Sequence, residues 1–251
     1  MKGLHILTHS IRQVIGNLDG ALKVSIVPYA IQAVAGLLLL GGAMGMARSG
    51  GGMAGFGIAG LLFFLVALTT SLWIAVAWHR YILLNEVPSG FVPPFHRDRV
   101  VAYLLRTLGY AILLILIALV FGLVVGGLLT PIAMSGRMGL AMLLSALLIQ
   151  LPIAILAFRF TAGLPAAALE QGTDFMVGWQ STSGATFDIA VLAVFAVAAN
   201  LILGFIDLYL FSGVRILSMI WNLIVGWLVT MVGISILTTL YGHYVEKRAL
   251  V

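Results

Sequence analysis

The chain has 251 residues, of which 62% are hydrophobic and only 8% charged, with 13 Lys or Arg against 8 Asp or Glu and a formal charge of +5. Too little polar surface is present to face water all round, which excludes an ordinary water-soluble globule and makes lipid the main solvent. The absence of Cys removes disulfides, thiolate nucleophiles and thiolate metal sites together.

The first element is a short amphipathic helix over residues 1–22. Leu4, Leu7, Ile11, Val14, Ile15 and Leu18 recur at helical spacing while Lys2, His5, His9 and Arg12 fall on another face. Such a helix is expected to float on the inner leaflet with its apolar side in the acyl boundary. The segment lacks the continuous apolar centre of a cleavable signal, so all six later spans are expected in the mature chain. A hydrocarbon core about 30 Å thick needs about 20 helical residues. Six stretches meet that length: 23–45, 56–84, 105–129, 139–162, 186–209 and 214–242. A Gly-rich, pliable outer turn including Gly50, Gly51 and Gly52 joins the first two. Pro93 and Pro94 end the element before a second basic amphipathic segment, His96 to Arg106, and Asp174 caps a third, Phe175 to Thr182. The fold expected is all-α and polytopic, one transmembrane domain of three hairpins with interfacial helices.

Cations report the orientation, because Lys and Arg are retained on the cytoplasmic side of short loops. With the N-terminus inside, Arg48, Arg137 and Arg215 are the three outer cations among 13, and the other ten lie inside. Both termini are therefore expected to be cytoplasmic, and the positive charge reflects this bias rather than nucleic-acid binding. Each hairpin leaves the inner leaflet in a similar way: Trp78-His79-Arg80-Tyr81, then Phe158-Arg159-Phe160, then Tyr241-Gly242-His243-Tyr244. Aromatic rings and snorkelling cations suit that depth whatever their origin, and the spacing also fits a threefold repeat of roughly 80 residues.

The tract Trp78-His79-Arg80-Tyr81 leading to Glu86 and Pro88, with Arg159-Phe160-Thr161-Ala162-Gly163-Leu164-Pro165 and Gly178-Trp179-Gln180-Ser181-Thr182, resembles the six-span bacterial inner membrane proteins of the YciC type. It is also similar to the membrane domain fused to some glycerophosphodiester phosphodiesterases. The resemblance implies a bacterial inner membrane location and carries no established reaction. These 251 residues hold no phosphodiesterase catalytic sequence, so that activity does not transfer.

Polar residues within the spans restrict the packing. With the last turn centred near Phe211, Asp207 and Arg215 sit four residues either side and Asn200 and Asn222 eleven either side. Equal sequence distance predicts equal depth, hence an Asp207–Arg215 ion pair near the outer surface and an Asn200–Asn222 amide pair deeper in. Gln32 follows Pro28 and Gln150 precedes Pro152, so each amide is expected to serve a carbonyl freed by the proline.

Catalytic patterns are sparse. His5 and His9 have metal-ligand spacing without the Glu of H-E-x-x-H, no Ser lies in a G-x-S-x-G elbow, and the Gly run lacks the Lys-Ser/Thr of a phosphate loop. No cofactor motif is present. His79, Arg80, Glu86, Arg159 and His243 form a candidate functional cluster at the inner interface, with Arg159 anchoring the segment from Pro165 to Gln171. Three readings follow. The first is a non-catalytic scaffold, accessory or envelope-maintenance protein, held by anionic lipid and joined to a membrane-protein partner or a second copy. The second is a permease, alone or as the subunit of an ATP-driven transporter. The third is an interfacial lipid-modifying enzyme using His79, Glu86 and His243.

Overall fold

The computed structural model describes residues 2–48, 54–169, 172, 174–211 and 213–250. Gly50, Gly51 and Gly52 of the expected outer turn lie outside the described residues. Among those described, six helical stretches are long and apolar enough to cross a membrane: Leu18–Gly45, Gly57–Leu84, Arg97–Met134, Met138–Ala168, Ser183–Phe211 and Ile216–Val245. They match the six expected spans in order, and the chain is an all-α polytopic protein. Both ends of the polypeptide meet at one end of the bundle, where His5 and Leu250 line one cleft.

Continuous apolar runs make each span helical because only a helix satisfies its backbone without help from lipid. The breaks follow local chemistry. Asn85, which tolerates a left-handed backbone, has φ 57° and ends the second span; Gly136, at φ 81°, turns the third into the fourth. Pro152 has no N–H to give, and the helix takes up the mismatch in a wider i→i+5 turn over Ala146–Gln150 just before it. In the first span the Gln32 amide oxygen accepts from Thr70 Oγ1 of the second at 3.2 Å.

The N-terminal helix, Lys2–Gly16, differs from the expected free interfacial helix. It packs between the fifth and sixth spans, with Gly3, Ile6, Ser10 and Val14 buried. Gly3 is flush against the backbone at Asp188 and Leu192, where a Cβ would collide. Ser10 Oγ donates to Thr239 Oγ1 at 3.0 Å, while Ser235 Oγ donates to Gln13 Oε1 at 2.6 Å. The face turned to protein is that of Gly3, Ile6, Ser10 and Val14, whereas Leu4 and Ile15 of the expected apolar stripe stay exposed. Small residues and facing hydroxyls decide this, since they permit an approach that leucines alone would not.

The other two expected interfacial helices also change form. His96 to Arg106 opens one continuous helix, Arg97–Met134, because nothing after Pro94 interrupts the ladder. The third shrinks to Val177–Ser181, folded into the protein. Gly178 there lies against Gly163 and the carbonyls of Phe160 and Arg159, close enough that a Cβ would meet them at 2.5–2.8 Å.

The buried core is concentrated at the terminus-bearing end. Leu72, Val76, Tyr103, Tyr110, Phe160 and Leu164 join the second, third and fourth spans. Ile6, Ile189, Leu192, Ile236 and Leu240 seat the N-terminal helix between the fifth and sixth. Val14, Val24, Ile74, Trp78 and Met231 close the side formed by the first, second and sixth. The short Pro165–Ala168 helix and the turn leading into it are buried throughout, as a plug across this end.

Candidate functional site at the terminus-bearing end

Three of the expected residues, His79, Arg159 and His243, stand where aromatic-flanked helices end, and each meets a different fate. His79 is fully buried. Its Nδ1 lies 2.9 Å from Thr238 Oγ1 and its Nε2 3.1 Å from Tyr103 Oη, so both ring nitrogens are used to tie the second span to the sixth and the third. A ring held this way aligns three helices and presents no atom to a substrate.

Arg80 and Glu86 do come together. Asn85 reverses the chain so that Arg80 Nε donates to Glu86 Oε2 at 2.7 Å, and His96 Nε2 donates to Glu86 Oε1 at 2.6 Å. Burial pushes the Glu86 carboxyl up, but hydrogen bonds from His96 and Arg80 and their charges outweigh it and hold it below its ordinary value of 4.5. Arg80 Nη1 also donates to Ala168 O at 3.0 Å, which fastens the plug. Arg106 fastens its other side through Gly163 O at 3.3 Å.

Arg159 is buried and stacks on Trp179, its guanidinium carbon 3.6 Å from the ring centroid. Its Nε donates to Thr182 Oγ1 and Nη2 to Trp179 O, both at 3.3 Å. Trp179 in turn stacks on Phe160, with centroids 4.8 Å apart. Cation–π stacking and neutral acceptors thus hold the charge, in the way a planar guanidinium permits. Among the described bonds, Arg159 anchors the segment 177–182 and not the expected segment from Pro165 onward. Glu170 and Gln171 lie outside the described residues.

His243 is half-buried. Its Nδ1 donates to Arg248 O at 3.0 Å, folding the C-terminal segment back on the helix end. Arg248 completes that fold through Leu83 O at 3.1 Å.

The five residues therefore divide among four networks rather than one site. None of the described bonds joins His79, Glu86 and His243 to one another. Sequence reasoning missed the partners that separate them: Tyr103, Thr238, His96, Trp179 and Thr182. Only Trp179 and Thr182 carried a local signal, through the Gly178 to Thr182 tract.

The last hairpin is also corrected. Asp207 accepts from Ser218 Oγ at 2.8 Å and from Asn222 Nδ2 at 3.1 Å, whereas Asn200 Nδ2 bonds its own helix at Ala196 O, 2.9 Å away. The Asn200–Asn222 pair does not form, and the side chain of Arg215 lies outside the described residues. The wide turn Asp207–Phe211 shifts the register: the midpoint of Asp207 and Ser218 falls between positions 212 and 213, beyond Phe211. The two helices pack together chiefly through that turn and diverge below it, with the N-terminal helix between them at the other end.

Asn200 instead faces an open crevice between the fourth and fifth spans, lined also by Gln150, Ala154, Phe158 and Val197. The fold defines the class, a six-span all-α protein with a closely packed, polar-bonded terminal end. No protein-family model, curated protein or solved structure matches this chain.

Proposed function

We propose that this is a non-catalytic multi-pass protein of a bacterial inner membrane, acting as a scaffold, accessory or envelope-maintenance factor with both termini cytoplasmic. The observation that carries the reading is the commitment of His79: a buried ring with both nitrogens bonded between helices is a structural tie. Glu86 and His243, the other groups a headgroup hydrolase would use, serve as a loop clamp and a terminal staple. Cytoplasmic termini are supported by the ten cations at that end, and the bacterial location by the resemblance in its inner-leaflet tracts.

The test is purification in mild detergent, with co-isolated proteins identified and phospholipid headgroups assayed for conversion. Stable membrane-protein partners and unchanged lipids are expected. Lipid conversion abolished in His79→Ala would overturn the reading, and labelling of either tail from outside intact cells would overturn the orientation.

A permease is the second reading, favoured by the crevice in which Gln150 and Asn200 present amides at the middle of their spans beside Pro152. Polar groups in such a place mark substrate paths in many transporters. ATP hydrolysis stimulated by the reconstituted protein, together with a co-isolated ATPase, would establish it over the first.

A further inference from the structure

Two adjoining clefts open where the N-terminal helix meets the C-terminal segment. Lys2, His5, His9 and Gln13 recur at intervals of three and four, which puts them on one helix face beside the buried stripe. That face looks onto the end of the sixth span. One cleft is lined by Lys2, His5, His243 and Leu250. The other is lined by His9, Gln13, Thr238, Thr239, His243 and Arg248, with Ile82 and Leu83 supplying its apolar wall. His243 belongs to both.

Among the described residues no carboxylate lines either cleft. Two acidic groups stand near the cluster: Glu246, which is ion-paired to Arg248 Nε at 2.6 Å, and Asp188, whose backbone meets Gly3 beside Lys2. A carbonyl only accepts, so the His243 bond to Arg248 O fixes a proton on Nδ1 and leaves Nε2 as the remaining polar atom of a ring that lines both clefts. Lys2 and His5 are exposed, His9 and His243 partly so. The surroundings therefore combine cations, ring nitrogens and hydroxyls on one side with aliphatic walls on the other.

We propose that these clefts bind the phosphate of an anionic phospholipid, with Lys2, His5, His9, His243 and Arg248 around the headgroup and Ile82, Leu83 and Leu250 against its glycerol and upper chain. Depth selects a lipid over a soluble phosphate. The clefts lie at the ends of the second and sixth spans, the level at which headgroups stand when six helices cross a bilayer. A lipid seated there bridges the N-terminal helix to the C-terminal segment and reinforces the wedge between the fifth and sixth spans. The site does not depend on the functional reading above.

The experiment uses the full chain in a zwitterionic detergent, titrated separately with phosphatidylglycerol, phosphatidylcholine and inorganic phosphate. Retained lipid is counted by native mass spectrometry and thermal stability is followed in parallel. Phosphatidylglycerol is expected to be retained preferentially and to raise the melting temperature. The preference is expected to fall about fivefold for each cation removed, the step for one basic group at an anionic surface. The variant Lys2→Gln/His5→Gln removes the Lys2 charge and the His5 ring from the exposed face. His243→Asn keeps an amide N–H for Arg248 O while deleting Nε2. Both should melt normally without lipid, so a lost preference reports binding and not folding. Equal retention of the two lipids, or a preference undiminished when Lys2→Gln, His5→Gln and His243→Asn are combined in one chain, would overturn the proposal. Stabilisation by inorganic phosphate equal to that by phosphatidylglycerol would overturn the assignment to a lipid.

Discussion

The two ends of the bundle are built from similar helices and held by different means. At the terminus-bearing end, side chains from distant parts of the chain interlock: His79 with Thr238 and Tyr103, Arg159 with Trp179, Arg80 with Ala168. At the far end, Leu123, Leu128, Leu140, Met142, Leu201 and Phe205 face outward. Few polar contacts join separate spans there among the described bonds: Asp207 with Ser218 and Asn222, and Tyr29 Oη with Leu223 O at 2.9 Å. Lipid offers no hydrophobic gain for packing one leucine helix on another, so close contact needs small residues, rings and hydrogen bonds. Those residues are at the terminal end, and the packing follows them.

Glycine substitutions give the largest contrast between the ends. Gly178→Leu should prevent folding, because backbone surrounds the position on three sides, and the protein should be lost from the monodisperse size-exclusion peak. Gly126→Leu meets open space and should leave that peak intact. If both variants fold equally well, the terminal end is not the tightly packed half.

Trp179→Ala removes the surface on which Arg159 stacks and the partner of Phe160. The expected loss is about 3–5 kcal/mol by chemical denaturation in detergent. Trp221, which touches Phe211 near the far turn, is expected to cost much less when truncated in the same way.

At the far end, Asn222→Leu removes a donor to Asp207 and should cost about 0.6–2 kcal/mol. Asn200→Leu breaks no contact between helices and should leave the stability of the isolated chain unchanged. A cost for Asn200→Leu matching that for Asn222→Leu would mean that the two amides do meet.

The smallest effect is one of pH. Because Glu86 is held below 4.5 in the folded protein, its contribution is present above that pH and is lost as pH falls through the lowered value. Melting temperature should therefore drop on acidification below 4.5, and Glu86→Gln should flatten that part of the profile. A profile unchanged by the substitution would show that the clamp on the plug is not linked to stability.

The six helices, their order and their approximate ends were legible from the chain because membrane insertion is a local test, which each apolar run passes by itself. The meeting of Arg80 with Glu86 lay within reach of the same kind of reading, being six residues apart across one turn. The hydroxyl partners of His79 were not, since Tyr103 and Thr238 stand 24 and 159 residues away and any Thr or Tyr on a facing helix would have looked equivalent. The N-terminal helix shows the same limit: its stripe is amphipathic, and a stripe fits lipid as well as protein. Sequence alone set what each segment is, because periodicity and length act residue by residue. Only the assembled bundle decided what each face touches, because that choice depends on small residues and hydroxyls of other helices arriving at the same depth.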